Sequence, residues 1–465
     1  MTAQNRQSIY TLVVGLGKTG LSVVRYLNAL GERVVVADSR DIPPGLAVLK
    51  RQYPDVPVHT GDFDEAVFVQ AHRIIVSPGV PLATPALQQA KNKGVEICGD
   101  IDLFAHEVSA PVLGITGSNG KSTVTTLVAK MAAAAGLDAV AGGNIGVPAL
   151  DLLDEEPGEK DLYALELSSF QLETLNHLPM KAAVVLNISA DHLDRYENLA
   201  AYAYSKQVIY ENAETWVVNA DDVLAAPSAA AAHPCIAFTL DEPQAGQLGI
   251  REIDGVPTVC LGEKALIEVP AIRLKGAHNL QNALAALALG MAVELPIPAM
   301  LATLKTFTGL PHRTQWVAEL NGVNWINDSK ATNVGAAIAA IQGLPGKQVL
   351  IAGGEAKDAD FSALAEVVKK HCRAVILIGK DAAVIEQAIQ RAVQQAGKLS
   401  SSAVELPIKR VLDMTAAVHA AAEVAQPNDN ILLAPACASF DMFDSFEHRG
   451  EVYMQAVRQY CEAQS

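Results

Sequence analysis

One stretch limits what this chain can fold into more than any other: Pro111 to Leu127, PVLGITGSNGKSTVTTL. Val112 to Thr116 has the length and apolar content of a buried strand, and a helix is predicted from about Ser122 to a stop at Gly136. Between them Gly117 and Gly120 free the backbone to wrap, so that loop N–H groups converge on an anion at the helix N-terminus. Lys121 adds a positive charge for β- and γ-phosphates, and the Ser122 hydroxyl is placed to ligate Mg²⁺. The usual spacing asks for a glycine five residues before Gly120, where Ile115 stands, so the pattern is the shorter G-x-x-G-K-S. With a strand before it and a capped helix after it, Gly117, Ser118, Asn119, Gly120, Lys121, Ser122 and Thr123 read as a triphosphate site.

The flanks alternate strand and helix signals. At the N-terminus, strand Tyr10–Val14, turn Gly15–Gly20, helix Leu21–Leu30 and strand Arg33–Ala37 precede Asp38. The turn is a complete G-x-G-x-x-G, with Asp38 18 positions after its last glycine, the context of a Rossmann-like half. Any nucleotide diphosphate fits such a loop, so NAD is not implied. Strand Arg73–Val76 ends in Ser77-Pro78-Gly79, a second loop at a carboxyl sheet edge.

After the phosphate loop, strands are predicted at Asp161–Leu167, Ala182–Ile188 and Trp216–Val218, with helices at Asn198–Asn212 and Asn279–Leu289. Residues 225–275 read as short strands, with Ala229–Ala232 a loop or weak helix. Gly309-Leu310-Pro311 marks the start of a third unit. There Val317–Leu320 and Val323–Ile326 flank Asn321-Gly322 as a type I′ hairpin. Strands Val349–Ala352, Ala374–Ile378 and Asn430–Ala434 alternate with helices near 333–342, 361–371, 381–396 and 413–425, and 397–407 reads as a surface loop. The expected fold is α/β in three domains: Rossmann-like over 1–106, a mostly parallel P-loop ATPase-type sheet over 107–309, and Rossmann-like again over 310–465.

Composition narrows the function classes. A net charge of −16 leaves no excess of Lys and Arg to neutralise nucleic-acid phosphates. The six cysteines contain no CxxC pair, which suits reduced cytosolic thiols. A polar N-terminus without a visible signal peptide, and no apolar run of about twenty residues, predict a cytoplasmic protein without membrane insertion.

Chemistry-bearing residues gather at strand ends. Glu166 sits where a Walker-B-type carboxylate belongs, against the alternative of a solvent-facing charge. Asp191, His192, Asp194 and Arg195 form either a salt-linked surface turn or a magnesium and phosphate neighbourhood. Lys206 on its helix reads as a solvated lysine. In Asn327 to Asn333, Asp328 or Thr332 is an N-cap candidate, and Lys330 is out of place at a helix N-terminus unless an acidic ligand meets it. Cys437 lacks an identifiable base and reads as a packed thiol.

GSNGKST, GGNIG (142–146), ELSSFQLE (166–173), NISADHLDRY (187–196), HNLQNALAA (278–286), GLPHR (309–313), NDSKATN (327–333) and PACASFDMFDSFEHRG (435–450) together resemble the Mur ligases. The resemblance spans nearly the whole chain in order, and the DSKATN and ACAS segments resemble the members that add D-glutamate. It implies ATP-dependent amide-bond formation on UDP-N-acetylmuramoyl-L-alanine in peptidoglycan synthesis, by a monomer using two Mg²⁺ ions. Lys121, Glu166, His192 and Lys206 would be catalytic, with Ser122, Glu166, His192 and a carbamylated Lys206 on the metals. Asn279, Asn282, Arg313 and Asp328 would join the loop in holding ATP. Gly17, Lys18, Thr19, Asp38, Ser39, Arg40, Ser77, Gly79 and Asn144 would meet the UDP-sugar. Lys330, Thr332, Lys357, Ser439 and Phe446 would receive D-glutamate, although Asp358 stands beside Lys357 where the family often has a small residue. A sister ligase adding another amino acid, an NAD-dependent oxidoreductase built on the first glycine motif, and a non-catalytic nucleotide-binding regulator remain the alternatives.

Overall fold

The computed structural model describes residues 10–153, 160–191, 195–227, 233–274, 276–356, 359–399 and 406–464. Three sheets follow one another along the chain. The first holds β1 (Thr11–Val14), β2 (Val34–Asp38), β3 (Val58–Thr60), β4 (Arg73–Val76) and β5 (Glu96–Cys98), all parallel, in the order β3-β2-β1-β4-β5. The order reverses between β1 and β4, so the loops Gly15–Gly17 and Ser77–Gly79 open side by side at a switch point. Helix Lys18–Ala29 begins inside the glycine motif, not after it as the sequence suggested. Gly20 is therefore helical: a Cβ there would sit 2.0 Å from the Gly15 carbonyl oxygen, which ties helix to strand at a distance only glycine permits.

The central sheet has nine strands in the order β14-β13-β12-β11-β10-β9-β6-β8-β7. They are β6 (Val112–Thr116), β7 (Ala139–Gly143), β8 (Leu162–Glu166), β9 (Ala182–Val185), β10 (Trp216–Asn219), β11 (Cys235–Phe238), β12 (Leu248–Ile253), β13 (Val256–Leu261) and β14 (Lys264–Glu268). From β7 to β12 the pairings are parallel, and every residue of β6, β8 and β9 is buried, as a strand covered on both faces requires. The irregular stretch expected over 225–275 resolves into an antiparallel extension, β12–β14, on the far edge; Ala229–Ala232 lie outside the described residues. Helix Ala277–Ala292 lays its apolar residues against helix Lys121–Ala134 in one core. A second helix, Ile297–Thr306, was not predicted; Pro298 within its first turn reads from sequence as a breaker, but that position tolerates proline.

The third sheet runs β15-β16-β20-β17-β18-β19: β15 (Gln315–Leu320), β16 (Val323–Asn327), β17 (Gln348–Gly353), β18 (Cys372–Ile378), β19 (Ile408–Arg410) and β20 (Asn430–Leu433). Only β15 is antiparallel. Asn321 and Gly322 both have positive φ (53° and 74°), the type I′ geometry that Asn-Gly predicts. The helix expected at 381–396 continues to Leu399, so the predicted loop loses its first three residues to it, and 400–405 are outside the described part. Strands β16, β20 and β17 lie next to one another, so the loops that follow Asn327, Leu433 and Gly353 leave the sheet as neighbours.

Candidate active site

The phosphate loop is built by the residues that made it legible. Gly120 is the N-cap of helix Lys121–Ala134 at φ 85°, and a Cβ there would lie 2.2 Å from the Asn282 side-chain oxygen. Asn187 holds the loop from below: the Asn119 N–H donates to its Oδ1 at 2.9 Å, and its Nδ2 donates to the Asn119 carbonyl at 3.0 Å. The Ser118 hydroxyl donates to the Ser189 carbonyl at 3.1 Å and accepts from the Ser189 N–H at 2.9 Å. Lys121 Nζ folds over the loop, donating to the Gly117 and Ser118 carbonyls at 2.8 and 2.9 Å. Burial pushes this ammonium below the ordinary lysine range, and Arg313 adds to the push against the pull of Glu166.

Glu166 is buried at the end of β8, so the solvent-facing reading of its carboxylate does not hold. Oε2 accepts from Ser122 Oγ at 2.6 Å and Oε1 from Asn144 Nδ2 at 2.7 Å. Ser122 Oγ also accepts from Arg313 Nη2 at 2.7 Å, from 191 residues further along. Four predicted residues thus meet at one point, and Asn144, expected near the UDP-sugar, is joined to the carboxylate expected to hold metal. Two hard oxygens, one a buried carboxylate with no cation in ion-pair distance among the described residues, form a donor set suited to Mg²⁺.

Lys206 is only 2% exposed, which overturns the solvated-lysine reading. Its Nζ lies 4.7 Å from the centre of the Tyr202 ring. Burial, and then repulsion from Lys121, push its pKa well below the usual lysine value. His192, Asp194, Lys357 and Asp358 lie outside the described residues.

A cleft opens between the central and third units. Asn119, Gly120, Asn279 and Asn282 line one side; Arg313, Asp328 and Lys330 line the other. Asn279 and Asn282, three apart on one helix, present the same face. Burial raises the Asp328 carboxyl to about 6 despite the Thr314 N–H and Arg313, which favour its charged form. The N-cap of helix Val334–Gly343 is Asn333, whose side chain accepts from the Ala336 N–H, so neither Asp328 nor Thr332 is spent on capping. Asn333 Nδ2 also donates to Asp191 at 3.3 Å, a second bond across the cleft.

Lys330 Nζ stands 4.0 Å from the centre of the Phe446 ring, so the cation that looked misplaced has an aromatic partner and a position beside the cleft. Ser439 is buried on the neighbouring loop. What sequence did not single out is Arg449, 1% exposed, which ties these two loops together. It donates to Ser329 Oγ at 2.9 Å, the Ser329 carbonyl at 2.8 Å, and the Cys437 and Ala438 carbonyls at 3.2 and 3.3 Å. An arginine in a charged helix N-terminus gives no sign in sequence that it points inward. Cys437 is packed, its thiol pushed up to about 12 by burial.

In the first unit the Gly17 position is open, with nothing within 4 Å of where a Cβ would stand, as a loop that admits a diphosphate requires. Lys18 and Ser39 are exposed and Thr19 half-buried around it. Asp38 is buried and engaged: it accepts from the Leu16 N–H at 2.7 Å and from Arg40 Nε and Nη2 at 2.9 and 2.7 Å. Burial raises its pKa, but these donors outweigh it and hold the carboxyl below the usual range. A dehydrogenase would need that carboxylate free for a ribose, so its occupation weakens the oxidoreductase alternative.

Comparison with known proteins follows the same three-part division. Family models match at residues 10–99 (Mur ligase MurD-like, N-terminal domain), 115–290 (Mur ligase middle domain) and 312–437 (Mur ligase, glutamate ligase domain). The UDP-N-acetylmuramoylalanine–D-glutamate ligase of Pseudomonas syringae pv. syringae is 52% identical over 452 residues, 96% of this chain and 97% of that protein. The protein of the same name from Pseudomonas aeruginosa is 50% identical over 454 residues, 97% of this chain and 98% of its own. Among solved structures, MurF from Acinetobacter baumannii aligns with TM-score 0.58 at 15% identity, covering 98% of this chain and 92% of that one. The UDP-N-acetylmuramate–alanine ligase of Thermotoga maritima aligns with TM-score 0.57 at 16% identity, covering 98% and 100%. These two likenesses concern the fold.

Proposed function

The chain belongs to the Mur ligase family, and we infer that it is the member that joins D-glutamate to UDP-N-acetylmuramoyl-L-alanine with ATP, in the cytoplasmic stage of peptidoglycan synthesis. The observation that carries the reading beyond likeness is the node at Ser122. There the phosphate loop, the Glu166 carboxylate and Arg313 of the third unit are within hydrogen-bond distance of one hydroxyl. A triphosphate on this loop is met from both sides of the cleft.

Roles follow from placement. Lys121, released from the loop carbonyls it now covers, faces the β- and γ-phosphates, and Asn279, Asn282, Arg313 and Asp328 line the rest of the nucleotide. Ser122 and Glu166 would hold one Mg²⁺; His192 and a carbamylated Lys206 would hold another. The metal supplies charge neutralisation at the phosphates when bound. Burial lowers the Lys206 pKa and so favours the neutral amine, the form that adds to carbon dioxide: nitrogen bonds to carbon, and a proton leaves to solvent. The product is an anionic oxygen ligand in place of the amine.

Gly17, Lys18, Thr19, Ser39, Arg40, Ser77 and Gly79 ring the switch point and would hold the UDP-sugar; Asp38 would serve them through Arg40. The alanyl carboxylate attacks the γ-phosphorus, ADP leaves, and the acyl phosphate is attacked by the D-glutamate amine, with loss of inorganic phosphate and a proton. Lys330, Thr332, Lys357, Ser439 and Phe446 would receive D-glutamate, whose two carboxylates match the lysines. Closure of the cleft would keep water from the acyl phosphate. The proposed form is a monomer, with domain limits at 1–106, 107–309 and 310–465. The test is phosphate release from ATP and Mg²⁺ with UDP-N-acetylmuramoyl-L-alanine. D-glutamate alone should support it; release only with L-alanine, L-glutamate or meso-diaminopimelate would refute the assignment.

A further inference from the structure

Arg195 lies in a turn and is salt-linked, as one reading of its sequence neighbourhood has it, but its side chain is turned inward and not to solvent. Its side chain is 14% exposed and its guanidinium faces three groups, one in the first unit and two in the central unit. Nη1 donates to the Pro78 carbonyl at 3.0 Å, 117 residues away in the first unit. Nη2 donates to Glu173 Oε2 at 2.7 Å, and the plane lies 4.1 Å from the centre of the Phe170 ring. Glu173 is fixed in turn by the Tyr196 hydroxyl at 2.5 Å, and Tyr196 stacks on Phe170 (6.2 Å, 14°). Tyr196 also packs on Tyr202 at 5.2 Å, the ring that faces Lys206 and whose hydroxyl is 3.4 Å from Ser118. A fork clamped on a carboxylate, a carbonyl and an aromatic face has one orientation, which lysine cannot reproduce.

The bond to Pro78 matters because of the peptide it belongs to. The Pro78 C=O and the Gly79 N–H share one planar trans unit and point in opposite directions. Anchoring the carbonyl on the central unit therefore turns the Gly79 N–H to the other side. That N–H has no protein partner among the described residues, and Gly79 has nothing within 4 Å of a would-be Cβ. Next to it, Ser77 is already committed, its N–H to the Val14 carbonyl at 2.8 Å and its hydroxyl to the Gly15 carbonyl at 3.0 Å.

We propose that Arg195 is a positioning residue for the UDP-sugar. By holding Pro78 against Glu173 and Phe170, it presets the Gly79 N–H for an oxygen of the diphosphate or the sugar beyond it. It also fixes the first unit to the wall that carries Tyr202 and Lys206. The inference rests on the ligase reading, since it needs a substrate that reaches from the first unit into the second. A ligand confined to the uridine end should not sense the clamp.

The test compares UMP with UDP-N-acetylmuramoyl-L-alanine by titration calorimetry on the full chain, in wild type, Arg195→Met and Arg195→Lys, with thermal unfolding of each. Arg195→Met keeps an apolar stem over Phe170 and removes both hydrogen bonds. It should weaken the full substrate about tenfold, the loss of about 1.4 kcal/mol, and leave UMP within about twofold; Arg195→Lys should fall between. Equal loss for both ligands would make Arg195 a general support of the first unit and overturn the proposal, as would no loss for either. Wild type that binds UMP but not the full substrate would overturn the ligase reading itself.

Discussion

Asp100 should cost the folded protein stability at neutral pH, and removing its charge should return that stability. It opens helix Asp100–Glu107, which joins the first sheet to the second, and it is 3% exposed. Its one side-chain donor, Gln171 Nε2, is distant at 3.5 Å. Burial raises the carboxyl from 3.8 to about 6, outweighing the backbone N–H groups of the first turn. Two pKa units at about 1.36 kcal/mol each amount to about 3 kcal/mol. The sign follows from the folded state holding the proton more tightly. The contribution is fully present below pH 3.8 and lost as pH rises through about 6. About half is gone by pH 5, and about 1.4 kcal/mol more disappears between pH 5 and 8. Asp100→Asn keeps an acceptor and stays neutral throughout. Its advantage over wild type should therefore grow by about 1.4 kcal/mol across that range. Urea unfolding at fixed ionic strength, followed by tryptophan emission, reads this, because Trp216 packs in the same core as Ile101 and Phe104. A difference that does not change with pH, or an Asn variant less stable at pH 8, would refute the reasoning.

Other outcomes follow from the same geometry. Lys121→Ala should lose nearly all ATP-dependent ligation; near-normal turnover would remove the phosphate loop from the mechanism. Arg449→Met should destabilise the third sheet by about 3 kcal/mol or more, because four acceptors, three of them in buried bonds, lose a charged donor, and a denaturation midpoint equal to wild type would contradict that. Cys235 is exposed whereas Cys437 is buried with its thiol pushed up to about 12. Brief alkylation should mark the first and spare the second by peptide mass mapping. Lys206 in ¹³C-bicarbonate should yield a carbamate carbon resonance that Lys206→Arg lacks.

Sequence carried the phosphate loop because its determinants are local: two glycines, a lysine and a serine between a buried strand and a helix. The hairpin at Asn321-Gly322 was legible for the same reason. Helix Ile297–Thr306 was missed because a proline inside the first helical turn cannot be told from a breaker without its neighbours. Lys206 was misjudged in exposure and Glu166 was left between two readings, since burial is decided by elements that close over them later. The Arg313–Ser122 and Arg195–Pro78 bonds join residues 191 and 117 apart, and no local pattern encodes such pairings. Resemblance to a family assigned Ser122 and Arg313 to ATP and metal, without saying that they touch each other.

The cleft proposed to hold the nucleotide takes one wall from the central sheet's loops and the other from the third unit, so whatever fills it is held only while both are folded. Occupancy is then linked to survival of the chain as well as to turnover. Nucleotide at 100 times its dissociation constant would favour the folded pair by about 2.7 kcal/mol. A cell short of ATP would lose this support at the moment synthesis slows, and proteases would meet more of the open chain. The lifetime of the protein, and not only its rate, would follow the nucleotide supply.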